Sequence, residues 1–181
     1  MINDKECVRK EINKFKESLS DEAAAYLSQK ICRRLIQTEA FQKANRIALY
    51  HSIKGEVETV SLIEEWRWKK KIALPAVSGR DLLFYTYTGK ENMRAGVFGV
   101  REPVPSETLT TDDIDLFIVP GVAFDHNRNR MGRGKGYYDR FLSETEKTII
   151  GLCFGFQLKD HIPTNERDKK MTMIITEDKI I

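Results

Sequence analysis

Three glycines at alternate positions, Gly132, Gly134 and Gly136, interleave with Met131, Arg133, Lys135 and Tyr137, and the segment YYDRFLSE (137–144) follows at once. Alternating glycine lets backbone N–H groups approach an anion closely. The start of a helix adds the positive end of its dipole, and Arg133 and Lys135 supply full charges. A polyphosphate suits such a segment. It is not a standard nucleotide signature, however. Gly136 stands where a Walker A loop has Ser or Thr after its Lys, and Tyr137 stands where the dinucleotide fingerprint has its third glycine. Two other readings stay open on the residues alone: a basic, glycine-rich surface loop without chemistry, and a nucleic-acid or anion-binding module built on RNRMGRGKG and the two tyrosines after it.

The elements that must position this loop follow from periodicity. IDLFIVP (114–120) is a continuously apolar strand of the buried kind, so the loop leaves the carboxyl end of a sheet strand, where open α/β sheets bind ligands. RIALY (46–50), VSLIEEWRWK (60–69) and KIALP (71–75) make a β-α-β unit. LLFYTY (82–87), TIIGLCF (148–154) and MTMIIT (171–176) read as further strands, and YYDRFLSE as a helix. The first 44 residues read as helical, with Val8, Ile12, Phe15 and Leu19 on one stripe, the cap-like Ser20, and a second stripe at Leu27, Ile31 and Leu35. The spacing predicts an α/β fold in three layers. It has a mainly parallel central sheet, helices on both faces and an N-terminal helical segment, all in a single domain spanning 1–181.

Composition narrows the class. The chain has 181 residues, 41% apolar and 31% charged, enough to bury a core without staples. Its 30 basic and 27 acidic residues leave a net charge of +3. Residues 125–140 carry five basic against two acidic residues and account for that excess by themselves. With a neutral remainder and a pI near 8.7, charge is not spread along a face as nucleic-acid binders require. Leu116–Phe124 is too short to span a bilayer. Cys7, Cys32 and Cys153 have no ligand or disulfide spacing, and the N-terminus has no signal-peptide core, so a cytoplasmic protein is expected. The expected partners are small molecules, with no nucleic acid, no membrane and a monomeric state.

The string PGVAFDHNRNRMGRGKGYYDRFL (120–142) closely resembles the signature of the 5-formyltetrahydrofolate cyclo-ligase family, also called 5,10-methenyltetrahydrofolate synthetase, with GRGKGYYDR as its hallmark. KECVRKE (5–11) resembles the family's basic first helix, and RIALYHSIKGEVET (46–59) its strand and loop bearing a substrate-contacting Glu. FGVREP (98–103) and IPTNERDKKMTMIITED (162–178) fall in the expected order. The resemblance implies ATP- and Mg²⁺-dependent cyclisation of 5-formyltetrahydrofolate to 5,10-methenyltetrahydrofolate, with ADP and phosphate released. It carries ATP binding onto Lys5, Arg9, Arg130, Met131, Gly132, Arg133, Gly134, Lys135, Gly136, Tyr137 and Tyr138. Arg133 and Lys135 are the catalytic pair. Folate binding falls on His51, Glu56 and residues Arg133 to Tyr137, and Mg²⁺ on Asp139 and Asp168. Phe98 sits where an aromatic ring stacks on the folate. Arg67, Trp66, Trp68 and the lysines 69–71 read as a helix end with solvated charge and carry no chemistry.

Overall fold

A computed structural model describes residues 4–143 and 145–181, with Asp4 and Phe98 described by their backbone. The N-terminal segment is three helices, α1 (Asp4–Ser18), α2 (Asp21–Gln37) and α3 (Glu39–Lys43). Ser20 starts the second: its side chain accepts the Ala23 N–H at 3.2 Å, with Asp21 and Glu22 in the first turn complementing the helix dipole. Thr38 both ends α2 and starts α3, donating its hydroxyl to the Leu35 carbonyl and accepting the Phe41 N–H.

The strands follow as β1 (Arg46–Ala48), β2 (Lys71–Ser78), β3 (Asp81–Thr86), β4 (Met93–Ala95), β5 (Arg101–Pro103), β6 (Thr108–Leu109), β7 (Leu116–Val119), β8 (Ala123–Asp125), β9 (Arg130–Met131), β10 (Thr148–Leu152), β11 (Leu158–Lys159) and β12 (Met173–Ile175). Helix α4 (Val60–Trp66) joins β1 to β2, and α5 (Tyr137–Phe141) lies between β9 and β10. The main sheet has the order β12-β10-β7-β1-β2-β3-β6. The pairings from β12 across to β2 are parallel, and β2-β3 and β3-β6 are antiparallel. LLFYTY therefore returns antiparallel against β2. Only a tight turn at Gly79 and Arg80 separates the two strands, far too short for the crossover a parallel pair needs.

Continuously apolar strands are explained by the two covered faces. Ile47, Ile72, Leu116, Ile118, Ile150 and Ile175 pack with Ile31, Leu35, Phe41, Leu62 and Ile63 of α2, α3 and α4. Their chain neighbours Ala48, Ala73, Phe117, Val119, Ile149 and Ile174 pack on the opposite face with Phe84, Phe124 and Leu142, and Phe141 of α5 contributes there. That second layer is thin, since α5 has five residues where eight were expected and Glu144 lies outside the described residues. The helix after β1 likewise ends at Trp66 rather than at 69.

Two departures position the site. The stretch 120–137 is not one open loop: β8 and β9 form a hairpin within it, and β11 completes a small sheet in the order β11-β8-β9. Helix α1 packs on this small sheet, burying Ile12 against Val122, Ala123, Met131 and Ile162. Of its apolar stripe, Phe15 remains 45% exposed and stacks on Phe156.

Candidate active site

A cleft of about 460 Å³ opens at the carboxyl ends of β1, β2 and β7. This is the end of the sheet that the strand-and-loop pattern indicates. The residues to which the resemblance assigns ATP, folate and Mg²⁺ binding line it: Lys5 and Arg9 from α1, His51 and Glu56 after β1, the run Arg130–Asp139, and Asp168 near the chain's end. The Phe98 side chain lies outside the described residues, though Val97 and Val100 beside it line the cleft.

Hairpin β8-β9 delivers the glycine loop. Asp125, fully buried at the end of β8, ties the turn by accepting N–H groups from Asn127 and Asn129, the Asn129 side chain and Ile162, at 2.8–3.3 Å. Burial pushes its carboxyl up, and these hydrogen bonds outweigh that effect and hold it below the ordinary 3.8. Beyond β9, Gly134 (φ +99°) and Gly136 (φ +67°) sit in backbone conformations that favour glycine. Arg140 secures the loop from α5, donating to the Lys135 and Arg80 carbonyls. With a helix of a single turn behind it, the loop owes little to a helix dipole, and charge and backbone N–H groups must serve an anion here.

The cations are held in different ways. Arg130 is almost buried: it donates to the Pro120 carbonyl at 3.2 Å and to Asp139 Oδ1 at 3.0 Å, with its guanidinium 5.4 Å from the Tyr138 ring centre. Lys5 pairs with Asp168 Oδ2 at 2.8 Å, and Arg9 donates to the Gly132 carbonyl at 3.2 Å. Arg133 pairs with Glu56 Oε1 at 2.9 Å, while Glu56 Oε2 accepts the Ile53 N–H. Arg128 leaves the cluster altogether and donates to the Thr172 carbonyl. The positive spot seen in the sequence is thus partly dispersed along the hairpin. Lys5 and Arg9 replace what it loses.

On the folate side of the resemblance, His51 is half-buried. Burial first, and then the Arg101 charge, hold its imidazole below the ordinary 6.5, so it stands neutral at neutral pH. Tyr137 donates to the Gly79 carbonyl at 3.4 Å. Burial pushes the Tyr138 phenol well up, keeping it protonated.

Two residues escaped sequence reasoning. Lys16 continues the Lys5 and Arg9 face of α1. Its stem passes beneath Gly55, and burial lowers its ammonium although Glu56 raises it. Glu102 lies in the FGVREP block with no role attached, and it lines the cleft as a buried carboxylate.

No group of three or more His, Cys, Asp or Glu side chains able to hold a metal occurs among the described residues. Asp139 and Asp168 each engage one oxygen, Oδ1 and Oδ2 respectively, with protein donors. Among the described residues no donor meets the other oxygen of either, and Mg²⁺ commonly takes one or two carboxylates plus phosphate and water.

The model of the 5-formyltetrahydrofolate cyclo-ligase family matches residues 1–177. A 5-formyltetrahydrofolate cyclo-ligase from Haemophilus influenzae is 31% identical, with 89% of this chain and 91% of that protein covered. One from Escherichia coli K12 is 29% identical, with 93% and 98% covered. The solved structure of an Aquifex aeolicus 5,10-methenyltetrahydrofolate synthetase superposes with a TM-score of 0.88 at 35% identity, over 97% of this chain and 91% of that one.

Proposed function

This chain belongs to the 5-formyltetrahydrofolate cyclo-ligase family, and from that premise we propose that it closes 5-formyltetrahydrofolate to 5,10-methenyltetrahydrofolate at the expense of ATP, with Mg²⁺. The observation that carries the reading is the convergence, in one cleft, of two α1 cations, the glycine loop with Arg133 and Lys135, Glu56, and two carboxylates remote from each other in sequence.

The chemistry explains the need for ATP. A formyl group on N5 is amide-like, and its oxygen leaves poorly. Transfer of the γ-phosphoryl group to that oxygen breaks the bond to ADP and forms an imidate-like phosphate. N10 then attacks the activated carbon and loses its proton, and inorganic phosphate departs with the oxygen. The protein's part is to position the reactants and neutralise charge. Arg133 and Lys135 neutralise the phosphoryl oxygens, Lys5, Arg9 and the backbone of the glycine loop hold the rest of the phosphate chain, and Arg130 orients Asp139. Glu56 accepts pterin N–H groups once phosphate draws Arg133 away. Neutral His51 and Tyr137 border the folate. Asp139 and Asp168 would hold Mg²⁺, which when bound offsets phosphate charge. Tyr137 and Tyr138, which line the cleft, limit water around the activated carbon.

Incubation with 5-formyltetrahydrofolate, ATP and Mg²⁺ should yield the strongly absorbing methenyl product, dependent on ATP. Well-folded protein that forms none overturns the reading.

A further inference from the structure

We propose that Glu102 is a specificity-determining residue that accepts an N–H of the reduced folate, an inference that rests on the cyclo-ligase reading. Glu102 is 4% exposed and lines the cleft, whose lining also includes the apolar residues Pro75, Val77, Leu82, Val97 and Val100. An ionised carboxylate in apolar surroundings is costly unless its oxygens are met by donors. Among the described residues it accepts one hydrogen bond, from the Val77 N–H to Oε1 at 3.0 Å, and it has no salt-bridge partner. No donor among the described residues reaches its second oxygen, Oε2. With Glu102 lining the cleft, that oxygen goes to the ligand under this proposal.

Gly96 shows that the carboxylate's place is reserved. Its backbone is extended (φ −106°, ψ −169°), a conformation open to any residue. A Cβ there would nonetheless stand 2.2 Å from Glu102 Cδ and 2.7 Å from Oε1. Glycine at 96 therefore serves the neighbouring carboxylate rather than its own turn.

A carboxylate selects against phosphate and for hydrogen-bond donors, which keeps Glu102 from the phosphate chain of ATP. Separate constants for folate and ATP tell a folate N–H from the adenine and ribose donors. Glu56 alone cannot serve every N–H of a reduced pterin and its N10 bridge. Its Oε2 already accepts from Ile53, so even after phosphate draws Arg133 away only Oε1 is open to the folate. A second acceptor in the cleft lining completes the recognition. It rejects analogues that present an oxygen or a methyl group in that place, because a buried acceptor left facing either is unpaired.

The test is Glu102→Gln, measured with 5-formyltetrahydrofolate, ATP and Mg²⁺ and by direct titration of 5-formyltetrahydrofolate into nucleotide-free protein. An amide has one acceptor oxygen, so it can serve Val77 or the substrate's N–H, and its NH₂ must face the other. The expected result is a KM and a Kd for the folate raised about tenfold or more, with the KM for ATP and the melting temperature unchanged. Gly96→Ala, which displaces the carboxylate without touching its charge, should raise the same two constants. Folate constants that stay at wild-type values in both variants overturn the proposal. So does a rise in both substrates' KM accompanied by a lowered melting temperature, which marks a structural carboxylate. Wild-type protein that forms no methenyl product refutes the cyclo-ligase reading instead, and that outcome is distinct from a variant that differs from an active wild type.

Discussion

Lys135 differs from its neighbours in having no ion pair or hydrogen bond from its ammonium among the described residues, while Arg130 and Arg133 are paired with Asp139 and Glu56. Its charge therefore does nothing for the fold and is available to phosphate. Lys135→Ala should lower kcat/KM by roughly 100-fold or more while moving the melting temperature by no more than about 1–2 °C. Steady-state kinetics and a melting curve on the same preparation check both halves. His51 gives a residue-scale pH effect. Its folded pKa lies below the unfolded 6.5, so the unfolded chain binds the proton more readily. The stability linked to neutral His51 is complete above about pH 6.5 and is lost as pH falls through the lower folded value. The stability difference between wild type and His51→Gln should be flat above that window and change within it, as denaturant titrations at several pH values would report.

At the scale of elements, the β8-β9 hairpin is what turns a string of basic residues and glycines into one wall of a cleft. Its anchor is Asp125, which accepts four N–H donors while fully buried. Asp125→Asn replaces an acceptor with a donor among those N–H groups and should cost about 2–4 kcal/mol in a denaturant titration. Since the wild-type carboxyl is held below 3.8, its contribution is present above that pH and disappears as pH falls through the folded value. The variant should lack that acid transition. Phe124, one residue earlier, shows how tightly the hairpin is keyed to the main sheet: a Cβ on Gly121 or Gly151 would lie 2.5 or 2.4 Å from its ring. The apolar strands and the helical stripes were legible because burial on both faces and helical spacing leave direct traces in residue order. The hairpin was not. DHNRN carries turn residues, but its pairing depends on a buried carboxylate and on β11, some 30 residues further on.

For the whole molecule, the proposed nucleotide site draws on residues from Lys5 to Asp168, so ligand binding ties both ends of the chain to the centre of the sheet. Binding to the folded state alone stabilises it by about 2.7 kcal/mol at a ligand concentration a hundred times Kd. For a chain of this size that is a rise in melting temperature of roughly 5–10 °C. ATP with Mg²⁺ should produce such a shift. Chelation of the metal with EDTA should reduce it, and Lys5→Ala should reduce it further, as thermal denaturation with and without each component will show.

Residue order by itself determined the α/β class, the placement of the glycine loop after an apolar strand, and the motif blocks that mark the family, because each of these is written in contiguous residues. The tertiary structure decided which of those residues share a site. It placed α1 on the small sheet so that Lys5 and Arg9 enter the cleft, sent Arg128 away from it, paired Arg133 with Glu56, and brought Glu102 into the cleft lining. The reason is physical: spacing along the chain constrains only local geometry, whereas side chains 70 to 160 residues apart meet only once burial of the core has fixed the elements that carry them.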